Sequence, residues 1–214
     1  MIKAERHVTP MGVFEYPRLS SPDQKYNKYQ VNLLMPSDSP EAIKLMDLIN
    51  KAEEDNFKDC IQAAKLAKRK PPAQEKVPYE MVFDYETGEE TGMVRFKFNM
   101  LASGTRQDTG KPWKQRPVIY DAKRAVIPPE KIQIWGGTEG RVSFLLKPYD
   151  TPKIGVKLCL LAVQVIKLVS NSQSAEALGF EEEEGYTLTE TEGYEEETST
   201  TAADTEAPDD NEDF

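Results

Sequence analysis

The chain has 214 residues, 38% of them hydrophobic, enough for one sizeable core with an appendage, and it carries a formal charge of −10 with a pI of about 4.8. That average hides two segments of opposite sign: residues 181–214 hold 15 acidic side chains and no Lys or Arg, whereas residues 1–180 hold 27 basic and 22 acidic ones, a net +5. An acidic pI therefore does not exclude a nucleic-acid partner, while two widely spaced cysteines, Cys60 and Cys159, and the lone His7 do exclude a zinc site built from Cys and His.

Both cysteines read as buried small apolar groups in a reducing cytoplasm. The N-terminal residues Met1, Ile2, Lys3, Ala4, Glu5 and Arg6 are not followed by an apolar stretch, and the most apolar run, 156–169, is interrupted by Lys157, Gln164 and Lys167. Neither a signal peptide nor a membrane span is expected.

In chain order, a first strand is expected near 8–16, and a second over 26–35, where Tyr29, Val31, Leu33 and Met35 alternate with Lys28, Gln30 and Asn32. Ser39 then offers an N-cap, Pro40 a first helical position and Glu41 a favourable charge. Ile43, Met46, Ile49, Phe57, Ile61 and Ala64 recur at helical spacing, so a helix or a broken pair runs to about Arg69, before Pro71 and Pro72. After a turn-rich link over 86–92, Phe96, Phe98 and Met100 alternate with Arg95, Lys97 and Asn99. A further strand over 141–149 sets Val142, Phe144 and Leu146 inward and Arg141, Ser143, Lys147 and Tyr149 outward. The run 154–169 is apolar on both faces for much of its length, which suits a central strand between the interior and a covering helix.

About five strands, one substantial helix and long loops predict a mainly β fold: an OB-fold-like β-barrel over residues 1–180, with an α+β sandwich as the alternative. The helix falls one connection earlier than in the usual OB order. No internal repeat is present.

Two sets of residues could hold nucleic acid. The first is the segment 102–124, where Arg106, Lys111, Lys114, Arg116, Lys123 and Arg124 stand against only Asp108 and Asp121, with Trp113 and Tyr120 interleaved. Cations attract a phosphate backbone and exposed rings stack on bases, the mixture single-strand binding needs. The alternative is a solvated hairpin whose Trp113 packs back on the barrel. The second set, Lys28, Arg95, Lys97, Arg141, Lys147 and Tyr149, comes from outward positions on three strands that could be neighbours. Trp135, before Gly136 and Gly137, reads as a core or rim aromatic.

Residues 181–214 cannot bury enough apolar surface to offset their ordering entropy, so a disordered acidic tail is expected. Asp209, Asp210, Glu212 and Asp213 before Phe214 place acidic groups beside a ring that a basic-rimmed pocket could recognise.

A barrel with a basic balance followed by an acidic tail ending in Phe214 resembles the single-stranded-DNA-binding proteins of phages. The resemblance implies an OB-fold and protection and annealing of single strands in replication and recombination. It also implies docking of replication proteins, such as polymerase and helicase–primase, on the tail tip, in the cytoplasm of an infected bacterium. Only Asp209, Asp210, Glu212, Asp213 and Phe214 carry over by position. A tail of −15 tethered to a body of +5 should also compete with DNA for the cationic groups. No cofactor or membrane partner is expected, and a homo-oligomer stays open.

The competing enzyme reading is a metal-dependent nuclease using Asp84, Glu86, Glu89 and Glu90, which sit in a glycine-punctuated turn better explained as a solvated loop. No phosphate-binding G-x-x-x-x-G-K-[ST] loop or G-x-S-x-G elbow is present, so a binding protein, not an enzyme, is expected. A third reading is an adaptor that binds no DNA.

Overall fold

A computed structural model describes residues 5–169. The elements are β1 (Glu5–Val8), β2 (Gly12–Asp23), β3 (Lys28–Pro36), α1 (Pro40–Leu66), β4 (Tyr79–Phe83), β5 (Glu90–Leu101), β6 (Ser103–Thr105), β7 (Pro112–Lys114), β8 (Val118–Tyr120), β9 (Glu139–Tyr149) and β10 (Gly155–Lys167). The tail, its expected disorder, the boundary at 180/181 and the tip residues 209–214 lie outside the described residues.

Alternation converts directly into packing. In the antiparallel pair β3–β5, Tyr29 faces Met100, Val31 faces Phe98, Leu33 faces Phe96 and Met35 faces Val94, and all eight are buried. Val142, Phe144 and Leu146 of β9 join the same core, with the Phe98 and Phe144 rings 5.1 Å apart and tilted.

Successive pairings run β2–β3–β5–β10–β9 and return to β2, where Gly12 pairs Gly140; β5–β10 is parallel and the rest are antiparallel. This closed five-strand circuit has the OB-like order, and α1 lies between its second and third strands, where the sequence puts it. Closure needs a glycine: a Cβ on Gly140 would stand 2.3 Å from the Gln164 carbonyl oxygen and 2.6 Å from Phe14 Cζ.

Three expectations change. The first strand is two, β1 and β2, and β4 is an added strand pairing β5. The helix is unbroken, and polar Glu53 and Asn56 hold its buried face where Phe57 and Ile61 are only partly covered. Asn56 Nδ2 donates to the Tyr149 and Gly155 carbonyls, each at 2.9 Å, fixing the helix to the β9–β10 connection. Finally, β10 is apolar on both faces only in its middle, where Cys159, Leu161 and Ala162 lie on the side opposite the buried Leu158, Leu160 and Val163. A bulge between Leu160 and Ala162 switches its inward parity from Val156, Leu158 and Leu160 to Val163 and Val165. From the bulge onward Leu161, Ala162 and Gln164 face an open groove, while α1 meets the start of the strand through Asn56 and Gly155.

Candidate nucleic-acid interface

Two of the expected loops meet at one end of the circuit. Asp23 Oδ1 accepts the Tyr26 N–H at 3.0 Å and Asn27 takes a positive φ of 49°, which Asn tolerates, so the β2–β3 turn is tight. Asn27 Nδ2 donates to the Ser103 carbonyl and hydroxyl at 3.1 and 2.9 Å, docking the turn onto the β6–β7 hairpin. Lys25 and Lys28 lie 5.2 and 5.0 Å from the centre of the exposed Tyr26 ring. Across the hairpin Trp113 packs on Gly104, where a Cβ would come within 2.7 Å of the indole, and its side chain is partly buried. Lys114 and Arg116 border a cavity of about 480 Å³ between the two loops, with Arg116 paired to Glu130 at 3.1 Å. Arg106 and Lys111 project at the hairpin tip beside Asp108, and neither makes an ion pair with a described residue.

Arg95 and Lys97 are engaged differently. The Arg95 guanidinium grips Glu15 through Nε and through Nη2 at 2.7 Å, and its Nη1 donates to Glu80 at 2.9 Å; Lys97 Nζ donates to the same Glu80 at 2.6 Å. These bonds strap β2, β5 and β4 together and neutralise the outer face of β5. The Lys97 ammonium, with Arg95 behind it, holds the Glu80 carboxyl below its ordinary 4.5. A carboxylate whose folded value is depressed stabilises the fold fully above the unfolded value, and that contribution disappears as pH falls through the folded one. The melting temperature should thus fall as pH drops below about 4.5, and Glu80→Gln should make that acid loss shallower; parallel profiles would refute this role. Arg95→Ala, which strands the largely buried Glu15, should cost about 1.5–3 kcal/mol in a denaturant titration.

The third surface lies on the outside of β9 and β10, flanked by β1 and β8. Arg6, Arg124 and Arg141 face a groove of about 530 Å³ with Tyr120, over a floor that includes Val118, Leu161 and Ala162. No carboxylate lines it, and none of the three arginines makes an ion pair with a described residue. Arg124 is presented by a turn in which Asp121 Oδ1 accepts the Ala125 N–H at 2.7 Å, and it takes a positive φ of 69°. Gln164 Nε2 ties that turn to β10 through the Asp121 and Ala122 carbonyls, both at 3.2 Å. Further along, Lys147 of β9 stands directly opposite Lys157 of β10. Like charges so placed are mutually destabilising, an arrangement a polyanion would relieve. Burial pushes the Cys159 thiol up, the two lysines partly opposing it.

The twelve residues singled out in the sequence thus do not converge on one groove. Lys28, Arg106, Lys111, Trp113, Lys114 and Arg116 gather at the two loops, Arg95 and Lys97 sit in a carboxylate strap, and Tyr120, Arg141 and Lys147 lie on the β9–β10 face. The supposed adjacency of three strands fails because β9 pairs β1, β2 and β10, never β3 or β5. Tyr149 packs against Gly155, and burial, then Glu75 and Glu53, raises its hydroxyl pKa. Sequence reasoning missed Arg6, Lys25, Tyr26 and Lys157. Only Lys157 left a trace, as a polar break in an apolar run.

The nuclease carboxylates are turn residues: Asp84 Oδ1 accepts the Glu86 and Thr87 N–H groups at 2.9 and 2.8 Å. Among the described residues no group of three or more His, Cys, Asp or Glu could hold a metal, and no helix is long and apolar enough to cross a membrane.

The family model described as "Single-stranded DNA-binding protein, Bacteriophage T7" matches residues 9–168. The chain belongs to that family. It is a DNA-binding protein of phage type, not an enzyme, and the adaptor reading falls with the nuclease one. Among solved structures it is similar to gp2.5, the single-stranded DNA-binding protein encoded by bacteriophage T7. That match has 25% identity and a TM-score of 0.65, over 87% of this chain and all of the other. The single-stranded DNA-binding protein of bacteriophage Enc34, C-terminally truncated, matches at 21% identity and a TM-score of 0.48, over 77% of this chain and 87% of that one. The same protein in complex with single-stranded DNA matches at 21% and 0.44, over 77% and 88%. No curated protein sequence matches the chain.

Proposed function

We propose that this protein coats and protects single-stranded DNA during phage DNA replication, recombination and repair in the infected bacterial cell. In this reading residues 1–180 form the binding domain. The backbone is held by the carboxylate-free arginine groove of Arg6, Arg124 and Arg141 and by the loop cations Lys28, Arg106, Lys111 and Lys114, and bases stack on Tyr120, Trp113 and Tyr26. Residues 181–214 form the tail, which competes with DNA for those cations and, once displaced, recruits polymerase and helicase–primase through Asp209, Asp210, Glu212, Asp213 and Phe214. The observation that carries the reading is the segregation of charge, +5 over residues 1–180 and −15 over residues 181–214.

The recruitment half is tested by removing Phe214 alone. One aromatic residue contributes little to a polyelectrolyte but can anchor a docking motif. The truncated chain should keep its oligonucleotide affinity within about two-fold and lose co-sedimentation with the phage polymerase and helicase–primase. Undiminished co-sedimentation would exclude the tip as the recruiting element.

A further inference from the structure

Of the four described non-glycine residues with a positive φ, Tyr16 alone carries an aromatic ring. Between the pairs Glu15–Asn32 and Arg18–Gln30, β2 spends one more residue than β3, a β-bulge. Within it Tyr16 takes φ +48°, a left-handed conformation that a residue with a Cβ adopts only under constraint, and its side chain is 69% exposed. Neither burial nor a hydrogen bond accounts for this choice: the hydroxyl donates to no described residue. Strain of this sort, kept where packing does not need it, points to a working surface.

Tyr16 opens onto a groove of about 740 Å³ on the outside of β2 and β3, lined also by Arg18, Gln30, Gln133 and Trp135. Trp135 is 37% exposed, and the backbone just after it is clamped to β2: Gly137 N–H donates to the Phe14 carbonyl at 2.9 Å and Phe14 N–H to the Thr138 carbonyl at 2.7 Å, while Thr138 N–H donates back to the Trp135 carbonyl at 3.3 Å. Its position is therefore set by the same strand that presents Tyr16. Arg18 makes no ion pair with a described residue. Two carboxylates lie at the rim, but Glu15 is held by Arg95 and Asp23 accepts the Tyr26 N–H. Two preplaced rings, a free guanidinium and two side-chain amides make a surface that takes flat aromatic groups strung on a phosphate backbone.

We propose that the Tyr16–Trp135 groove is a base-stacking subsite for single-stranded DNA, separate from the arginine groove on β9 and β10. The proposal rests on the single-strand binding described above and adds where unpaired bases are held. A duplex, with its bases stacked internally, presents no ring faces to this site.

The protein has two tryptophans, so Trp113→Phe leaves Trp135 as the sole indole reporter. In that background, saturating oligothymidylate should quench Trp135 emission. Tyr16→Gly separates stacking from folding, because glycine accepts the positive φ. The variant should melt no lower than its parent yet bind oligothymidylate about 5- to 150-fold more weakly. An oligomer of abasic sites should bind both proteins equally. Unchanged Trp135 emission at saturation, or unchanged affinity in Tyr16→Gly, overturns the subsite while gel shift shows the parent bound. A parent that shifts no oligothymidylate overturns single-strand binding itself.

Discussion

Deleting residues 181–214 should tighten binding to oligothymidylate about 10- to 100-fold at low salt and make log K fall more steeply with log[salt]. Residues 181–214 carry −15 on the same chain as a body of +5, and a segment so tethered would act on the cationic surfaces at an effective concentration of order mM. If its own affinity for them is about ten to a hundred times tighter than that concentration, DNA binding is weakened by the same factor. Counterions released by the tail are not released again by DNA, so the full chain shows a shallow salt slope and the truncated one a steep slope. A salt series titrated with both proteins measures the two effects together. Equal affinities at low salt would remove intramolecular competition.

The triple substitution Arg6→Ala, Arg124→Ala and Arg141→Ala should weaken binding about 10- to 100-fold at low salt and flatten the salt slope by about 2, since each phosphate contact on a single strand contributes roughly 0.7. Its stability should stay close to the parent's, because none of the three guanidinia holds a carboxylate partner among the described residues. Arg95→Ala gives the opposite pattern, a clear loss of stability with little change in slope, because Glu15 and Glu80 already occupy that charge. Were the triple variant to keep the parental slope, the β9–β10 groove would not contact DNA, leaving the hairpin and β2–β3 turn as the cationic surface.

The two variants differ although Arg95 and Arg141 look alike in the sequence, each outward on an alternating strand with an apolar inner face. Their fates part because Glu15 and Glu80 are brought to Arg95 by β2 and β4, separated from it by 80 and 15 residues, whereas Arg141 meets Gln164 and an open groove. β4 itself went unread: its five residues, Tyr79–Phe83, are all only partly covered or exposed and alternate with nothing. Tyr16 was invisible for another reason. The bulge that turns it outward exists only relative to the partner strand, and the fold-level signal of β2 is the ordinary alternation around it.

What the amino-acid order determined by itself is everything that depends on neighbours a few residues apart. This includes the inward faces of β3, β5 and β9, the Ser39 start of the helix and its place between the second and third circuit strands, and the split of charge at residue 181. Periodicity and capping are local, so they survive without knowledge of the rest of the chain. Which strands adjoin, which cations are neutralised, where β10 changes parity and which rings face outward were decided only by tertiary structure. Each depends on register between segments as far apart as Glu5 and Leu146, and a one-residue shift in register reverses the face a side chain occupies.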